Sequence, residues 1–203
     1  MIIPIEDPDD PRIAAYRQVR ERDLVGRRGL FIAEGEVVAH HLARAPRHRP
    51  VSALIAEHRI EAQAELIAAL GPQTPVYAAA QPVMDAIVGF PIHRGVLVLG
   101  ERAPEADLDA LLAAMDGRAV VVAVCGVGNH DNIGGIFRNA AAFGAAAVLL
   151  DARCCDPLYR KAIRVSVGAA LILPTVRLAA GADMVTLLQR HGFEPLALSP
   201  AGE

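Results

Sequence analysis

Apolar positions along the first hundred residues switch between helical and strand spacing. "PRIAAYRQVRERDLV" (11–25) repeats its apolar residues at helical intervals with Pro11 in the first turn, "EVVAHHLARA" (36–45) does so again, and "EAQAELIAAL" (61–70) stops at Gly71-Pro72. Between them "VSALIAE" (51–57), "TPVYAA" (74–79) and "RGVLVLG" (94–100) are short apolar runs that predict strands, and "QPVMDAIVG" (81–89) predicts a helix closed by Gly89. These pieces make a small α/β layer over residues 1–100. Residues 101–118 change character: a charged, Pro-containing stretch and then a short amphipathic helix, which read as a linker. From 119 onward the pattern is a run of β-α units. "AVVVAVC" (119–125), "AAVLLD" (146–151), "LILPTVR" (171–177) and "FEPLALS" (193–199) predict strands. "GGIFRNAAAFG" (134–144), "DPLYRKAIRVSVGAAL" (156–171), with Asp156 as cap and Pro157 at its first position, and "DMVTLLQRHG" (183–192) predict helices. Apolar strands alternating with helices argue a parallel sheet covered on both faces.

At 203 residues the chain can fold as one large or two small domains, and the change at 101–118 favours two. The composition is that of a globular protein, with no apolar run long enough for a membrane helix. The start, "MIIPIEDPDDPR", is acidic and Pro-rich where a signal peptide is basic and then apolar, so a cytoplasmic location is expected. Cys125, Cys154 and Cys155 cannot all pair, and the adjacent two have poor bridging geometry, so reduced thiols are expected. The net charge of −3 is unevenly spread: residues 12–49 hold nine Arg against four acids, a local basic stretch that can follow polyanionic RNA. Arg is also the preferred cation throughout, Lys161 being the only lysine, so the stretch has a plain compositional reading too.

The densest chemistry follows the strand that ends at Cys125, in "GVGNHDNIGGIFRNAAAFG" (126–144), where a parallel α/β sheet places its ligands. A dinucleotide fingerprint lacks its third Gly at the required spacing, and a P-loop lacks Gly-Lys-Ser/Thr. His130 and Asp131 could be metal ligands, but neighbours without a third ligand more often make hydrogen bonds and a helix cap. What remains is Asn132, Gly134-Gly135 and Arg138. The Asn can cap the helix and fix the loop, the glycines allow close approach, and the Arg can meet a phosphate or a developing oxyanion, or pair with a surface acid.

"NIGGIFRNAAAFG" resembles the first signature motif, N-x-G-x-x-x-R-x-x-x-x-x-G, of the SpoU/TrmH-type RNA 2′-O-ribose methyltransferases of the SPOUT superfamily. "DPLYRKAIRVSVGAALILP" is similar to the stretch those proteins carry next, and "FIAEGEVV" (31–38) and "GFPIHRGVLVLG" (89–100) resemble the L30e-like RNA-binding domain often fused in front. The resemblance implies an L30e-like α/β domain (1–100), a linker (101–118) and a SPOUT α/β-knot methyltransferase domain (119–203). It implies a homodimer when the chain is full length, while the residues themselves give no expectation of a metal or a membrane partner. It further implies transfer of a methyl group from S-adenosylmethionine to a ribose 2′-hydroxyl of structured rRNA or tRNA. Asn132 and Arg138 match the motif as catalytic residues. Leu198 and Ser199 match a cofactor-touching position, and Glu34 and Arg94 match the N-terminal patterns. With Arg27 and Arg28 of the basic stretch, Glu34 and Arg94 are the expected RNA contacts, and the alternative for each of the latter two is to brace its own turn. The family's second and third motifs have no counterpart before "LALSPAGE". The expectation is therefore a part of a longer chain that, as it stands, neither ties the knot nor binds cofactor well. The alternative function is a catalytically inactive RNA-binding protein of the same fold.

Overall fold

A computed structural model describes residues 2–17, 21–45, 47–89, 95–115 and 117–197. The first part builds a five-stranded sheet from β1 (Ile2–Ile5), β2 (Leu30–Glu34), β3 (Arg49–Ala56), β4 (Val76–Ala79) and β5 (Val96–Glu101), in the order β1-β4-β3-β5-β2. β1, β4 and β3 run parallel, whereas β5 is antiparallel to both β3 and β2. β1 is not expected from the sequence, where acids and prolines surround it. Pro4 cannot donate to a ladder, and β1 accommodates it by lying at the sheet edge. Helices α1 (Glu21–Arg28), α2 (Glu36–Arg44), α3 (Ala64–Leu70) and α4 (Gln81–Val88) surround the sheet. The single helix expected over 11–25 is instead a 3-10 turn, Pro11–Tyr16, followed by α1.

Strand alternation sorts the apolar side chains onto two faces. Phe31, Ala33, Ala53, Ile55, Val96 and Val98 pack on one side, and Ile32, Leu54, Ala56, Leu97 and Leu99 on the other. The first of these cores also contains Leu158, Ile163 and Leu171, which come from the second part of the chain.

That second part holds α5 (Leu108–Ala113), β6 (Val121–Val124), α6 (His130–Ala142), β7 (Ala147–Leu150), α7 (Arg160–Val165), α8 (Ala169–Ile172), β8 (Thr175–Arg177) and α9 (Met184–Arg190). The strands form a parallel sheet in the order β6-β7-β8. α6, α7 and α8 cover one face through Ile133, Phe137, Ala162 and Ala170, while α5 and α9 cover the other through Leu112, Met184 and Leu188. β7 is buried throughout, as the apolar pattern predicts, but β6 is an edge whose Ala123 is exposed.

Two expectations change. The helix expected over 156–171 is broken into α7 and α8 by Val167 (φ 54°) and Gly168 (φ 85°), and its first residues form a turn held by the Asp156 carboxylate. A Cβ at Gly168 would stand 2.9 Å from His41 Cδ2, so the break lets α2 approach closely. The strand expected over 193–199 is not formed at 193–197, where Phe193 instead packs into the α5/α9 core. No described helix is long and apolar enough to cross a membrane.

The stretch expected to be a linker reaches the first sheet through Ala103. His48 Nδ1 accepts the Ala103 N–H at 3.1 Å, and its ring meets the edge of Phe31. Burial, then the neighbouring charges of Arg47 and Arg102, push the imidazole down from 6.5 to about 4. Between these values the unfolded chain binds the extra proton, so stability present above pH 6.5 is lost as the pH falls toward 4. Thermal unfolding across that range should show a falling Tm, with the fall reduced in His48→Asn, whose amide oxygen still accepts from Ala103. An equal fall in the variant would assign the loss to other groups.

Candidate active site

The loop after β6 and the loop after β7 are joined at the carboxyl ends of the strands. Asp151 Oδ1 accepts the N–H groups of Gly126, Arg153 and Cys154, each at 3.0 Å. These bonds, with Gly126 the largest influence, hold the carboxyl well below the usual carboxylate range. Arg177 on β8 donates to the carbonyls of Asp151, Cys154 and Cys155, and the Cys155 N–H returns to the Val127 carbonyl. All three cysteines are free, and burial raises the thiols of Cys154 and Cys155. This network fixes the point from which α6 starts.

The cap of α6 is Asn129, which stands outside the motif that begins at Asn132. Its Oδ1 accepts the N–H groups of Asp131 at 2.8 Å and Asn132 at 3.1 Å. Capping is thus not the task of Asn132, which is the third helical residue and exposed. Nor do His130 and Asp131 cap: the His130 ring lies 4.8 Å from that of Tyr159, and Asp131 pairs with Lys161 at 2.6 Å.

α6 buries Ile133, Gly134, Phe137 and Ala140 and turns Asn132, Arg138 and Asn139 outward. Gly134 and Gly135 have different reasons to be glycine. A Cβ on Gly134 would lie 2.7 Å from Val165 Cβ and 2.8 Å from the Ala162 carbonyl oxygen, so this residue permits the close contact of α6 with α7. A Cβ on Gly135 would meet nothing within 4 Å. Asn132, Gly135 and Arg138 follow one another at intervals of three, which places the amide and the guanidinium on either side of a bare stretch of helix. They are about 9 Å apart along the axis and about 120° around it. No hydrogen bond joins Asn132 to Arg138, so the amide does not aim the guanidinium. Arg138 is exposed and makes no hydrogen bond or ion pair with any described residue, which leaves it available to an anion.

The expected RNA contacts are placed differently from one another. Arg27 and Arg28 lie at the end of α1, Arg27 exposed and 3.3 Å from Asp23. Glu34 is buried at the end of β2, where it pairs with Arg160 at 2.7 Å and stands 3.8 Å from Arg164. It faces the second part of the chain, not a surface open to RNA. Acids from outside the basic stretch temper its charge in space: Arg12 pairs with Asp10, Arg17 with Asp9 and Arg49 with Glu101. Arg94, Leu198 and Ser199 lie outside the described residues.

The class that the geometry defines is a parallel α/β sheet displaying an amide and a guanidinium on the helix after its edge strand. The comparisons narrow it. Residues 119–203 match the SpoU rRNA Methylase family. An uncharacterised tRNA/rRNA methyltransferase of Mycobacterium bovis is 38% identical over 200 residues, covering 97% of this chain and 67% of its own. The 23S rRNA (guanosine-2′-O-)-methyltransferase RlmB of Acinetobacter baylyi is 30% identical over 121 residues, 58% of this chain and 48% of its own. Among solved structures, the SpoU methyltransferase AviRb of Streptomyces viridochromogenes, in complex with the cofactor AdoMet, superposes with a TM-score of 0.70 at 21% identity, covering 90% of this chain and 68% of that one. The chain belongs to the SpoU family of RNA methyltransferases.

Proposed function

We propose that the protein transfers a methyl group from S-adenosylmethionine to a ribose 2′-hydroxyl of structured rRNA or tRNA. The observation that carries this reading is the outward row Asn132, Gly135, Arg138. It offers a cation without a described partner beside helix surface that no side chain covers. The 2′-O specificity named for RlmB and the AdoMet bound to AviRb support the same reaction here.

S-adenosylmethionine supplies an activated methyl group and leaves as a neutral thioether, so no general acid is needed. The acceptor hydroxyl must instead be aligned and lose its proton. A guanidinium cation has no lone pair to offer as a base, so Arg138 is not the group that takes this proton. Its guanidinium holds a phosphate of the RNA and stabilises negative charge growing on the 2′-oxygen, while the proton leaves through that phosphate or water. Asn132 supplies a neutral donor and acceptor across the bare Gly135 surface. The Gly126 N–H is already bonded to Asp151, so it is not a group that holds the donor's adenosine. That contact falls to other residues, Leu198 and Ser199 among them. Arg27, Arg28 and Arg94 add phosphate contacts from the first part of the chain, and the protein acts in the cytoplasm. A second copy of the chain forms a homodimer with the first, covering the exposed Phe143 and Val120.

Calorimetric titration of the natively expressed protein with S-adenosylmethionine, alongside RNA binding at two salt concentrations, tests this reading. The expected result is cofactor binding together with RNA affinity that falls steeply as salt rises. Salt-sensitive RNA binding without any cofactor binding would overturn it in favour of an inactive RNA-binding protein.

A further inference from the structure

Glu34 is joined to residues more than a hundred positions away. Its carboxylate is 8% exposed and receives the Arg160 Nε–H at 2.7 Å, with Arg164 at 3.8 Å. Arg160 and Arg164 are four residues apart on α7, so both guanidinium groups leave from one side of that helix. Ala162 and Val165 leave from the other side and form the surface against which Gly134 of α6 is pressed. α7 is therefore held between β2 and α6. Gly168, just after α7, is likewise packed against His41 of α2. Arg138 follows Gly134 by one turn, so the part of α6 seated on α7 is also the part that carries the guanidinium.

Resting on the proposed methyl transfer, we propose that Glu34 is a positioning residue: through Arg160 and Arg164 it sets α7, and α7 sets the placement of Arg138. The first sheet then does more than carry RNA contacts, because its edge strand fixes the helix that presents the cation. A buried carboxylate between two guanidinium groups suits this task, since removing its charge takes away the ion pairs that join β2 to α7.

The test compares wild type with Glu34→Gln and with Arg164→Met, the latter removing a half-exposed partner that the fold can spare. Two readouts are used: hydrogen exchange over α6, and kcat and KM for methyl transfer to RNA. The proposal expects faster exchange over α6 in both variants, with β3 and β5 unchanged. It also expects a kcat lower by on the order of 10-fold or more in Glu34→Gln, less in Arg164→Met, with any rise in KM for RNA smaller than the fall in kcat. A raised KM with unchanged kcat would make Glu34 an RNA contact, and unchanged exchange over α6 would break the link through α7. Either result overturns the proposal. If the wild type transfers no methyl group, the proposed reaction fails, while exchange over α6 still decides whether Glu34 governs that helix.

Discussion

Arg138→Ala is expected to lower methyl transfer to RNA by on the order of 10²- to 10³-fold while leaving the melting temperature within a degree or two of wild type. The two halves of this expectation have separate grounds. Arg138 is exposed and bonded to no described residue, so its truncation leaves no buried group unsatisfied. In the proposed reaction, however, it faces both the phosphate and the oxygen that gains negative charge. Arg138→Lys should recover only part of the rate, because an ammonium keeps the charge but loses the planar fork that can hold two oxygens. Single-turnover kinetics with saturating RNA separate this chemical loss from weaker binding. Near-normal turnover in Arg138→Ala would remove the residue from the mechanism.

The second large effect distinguishes two adjacent glycines. Gly134→Ala forces a methyl group into Val165 and a backbone carbonyl, a strain of about 1–3 kcal/mol. The higher helix propensity of Ala returns about 1 kcal/mol at most. The net result is a Tm lower by several degrees and a loosened α6–α7 contact. Gly135→Ala gains the same propensity with nothing to strike, so thermal stability should hold or rise. If RNA approaches the bare face of α6, this stable variant should nonetheless lose activity. Thermal unfolding and turnover measured on both variants check the pair: equal stabilities would contradict the packing argument, and full activity of Gly135→Ala would contradict the approach of RNA over that face.

Much of this arrangement was legible in the sequence because local patterns specify it. The short apolar runs of β3, β5 and β7 give strands where they are expected, and Gly89, in the left-handed conformation at φ 80°, ends α4 as its position suggests. Motif spacing put Arg138 on the helix and Asn132 in the loop at its start, whereas α6 takes in both. What was not legible depends on contacts distant in sequence. β1 becomes a strand only by pairing with β4, more than seventy residues later, against the local signal of Pro4 and the acids that follow. Val167 gives no hint of a positive φ, a conformation uncommon for a β-branched residue, yet α7 ends there. Asn132 attracts attention because the motif contains it, and so the more ordinary capping role of Asn129 goes unnoticed. Glu34 beside Gly35 reads locally as a turn, and nothing near it announces Arg160 and Arg164 as partners.

The most direct test of the proposed chemistry is the position of the transferred methyl group. RNA is incubated with the natively expressed protein and S-adenosylmethionine labelled in the methyl group, and is then hydrolysed in alkali, which cleaves a phosphodiester only through a free neighbouring 2′-hydroxyl. The account predicts label in alkali-resistant dinucleotides, and its loss in Arg138→Ala. Label in mononucleotides would place the methyl group on a base and contradict the ribose assignment.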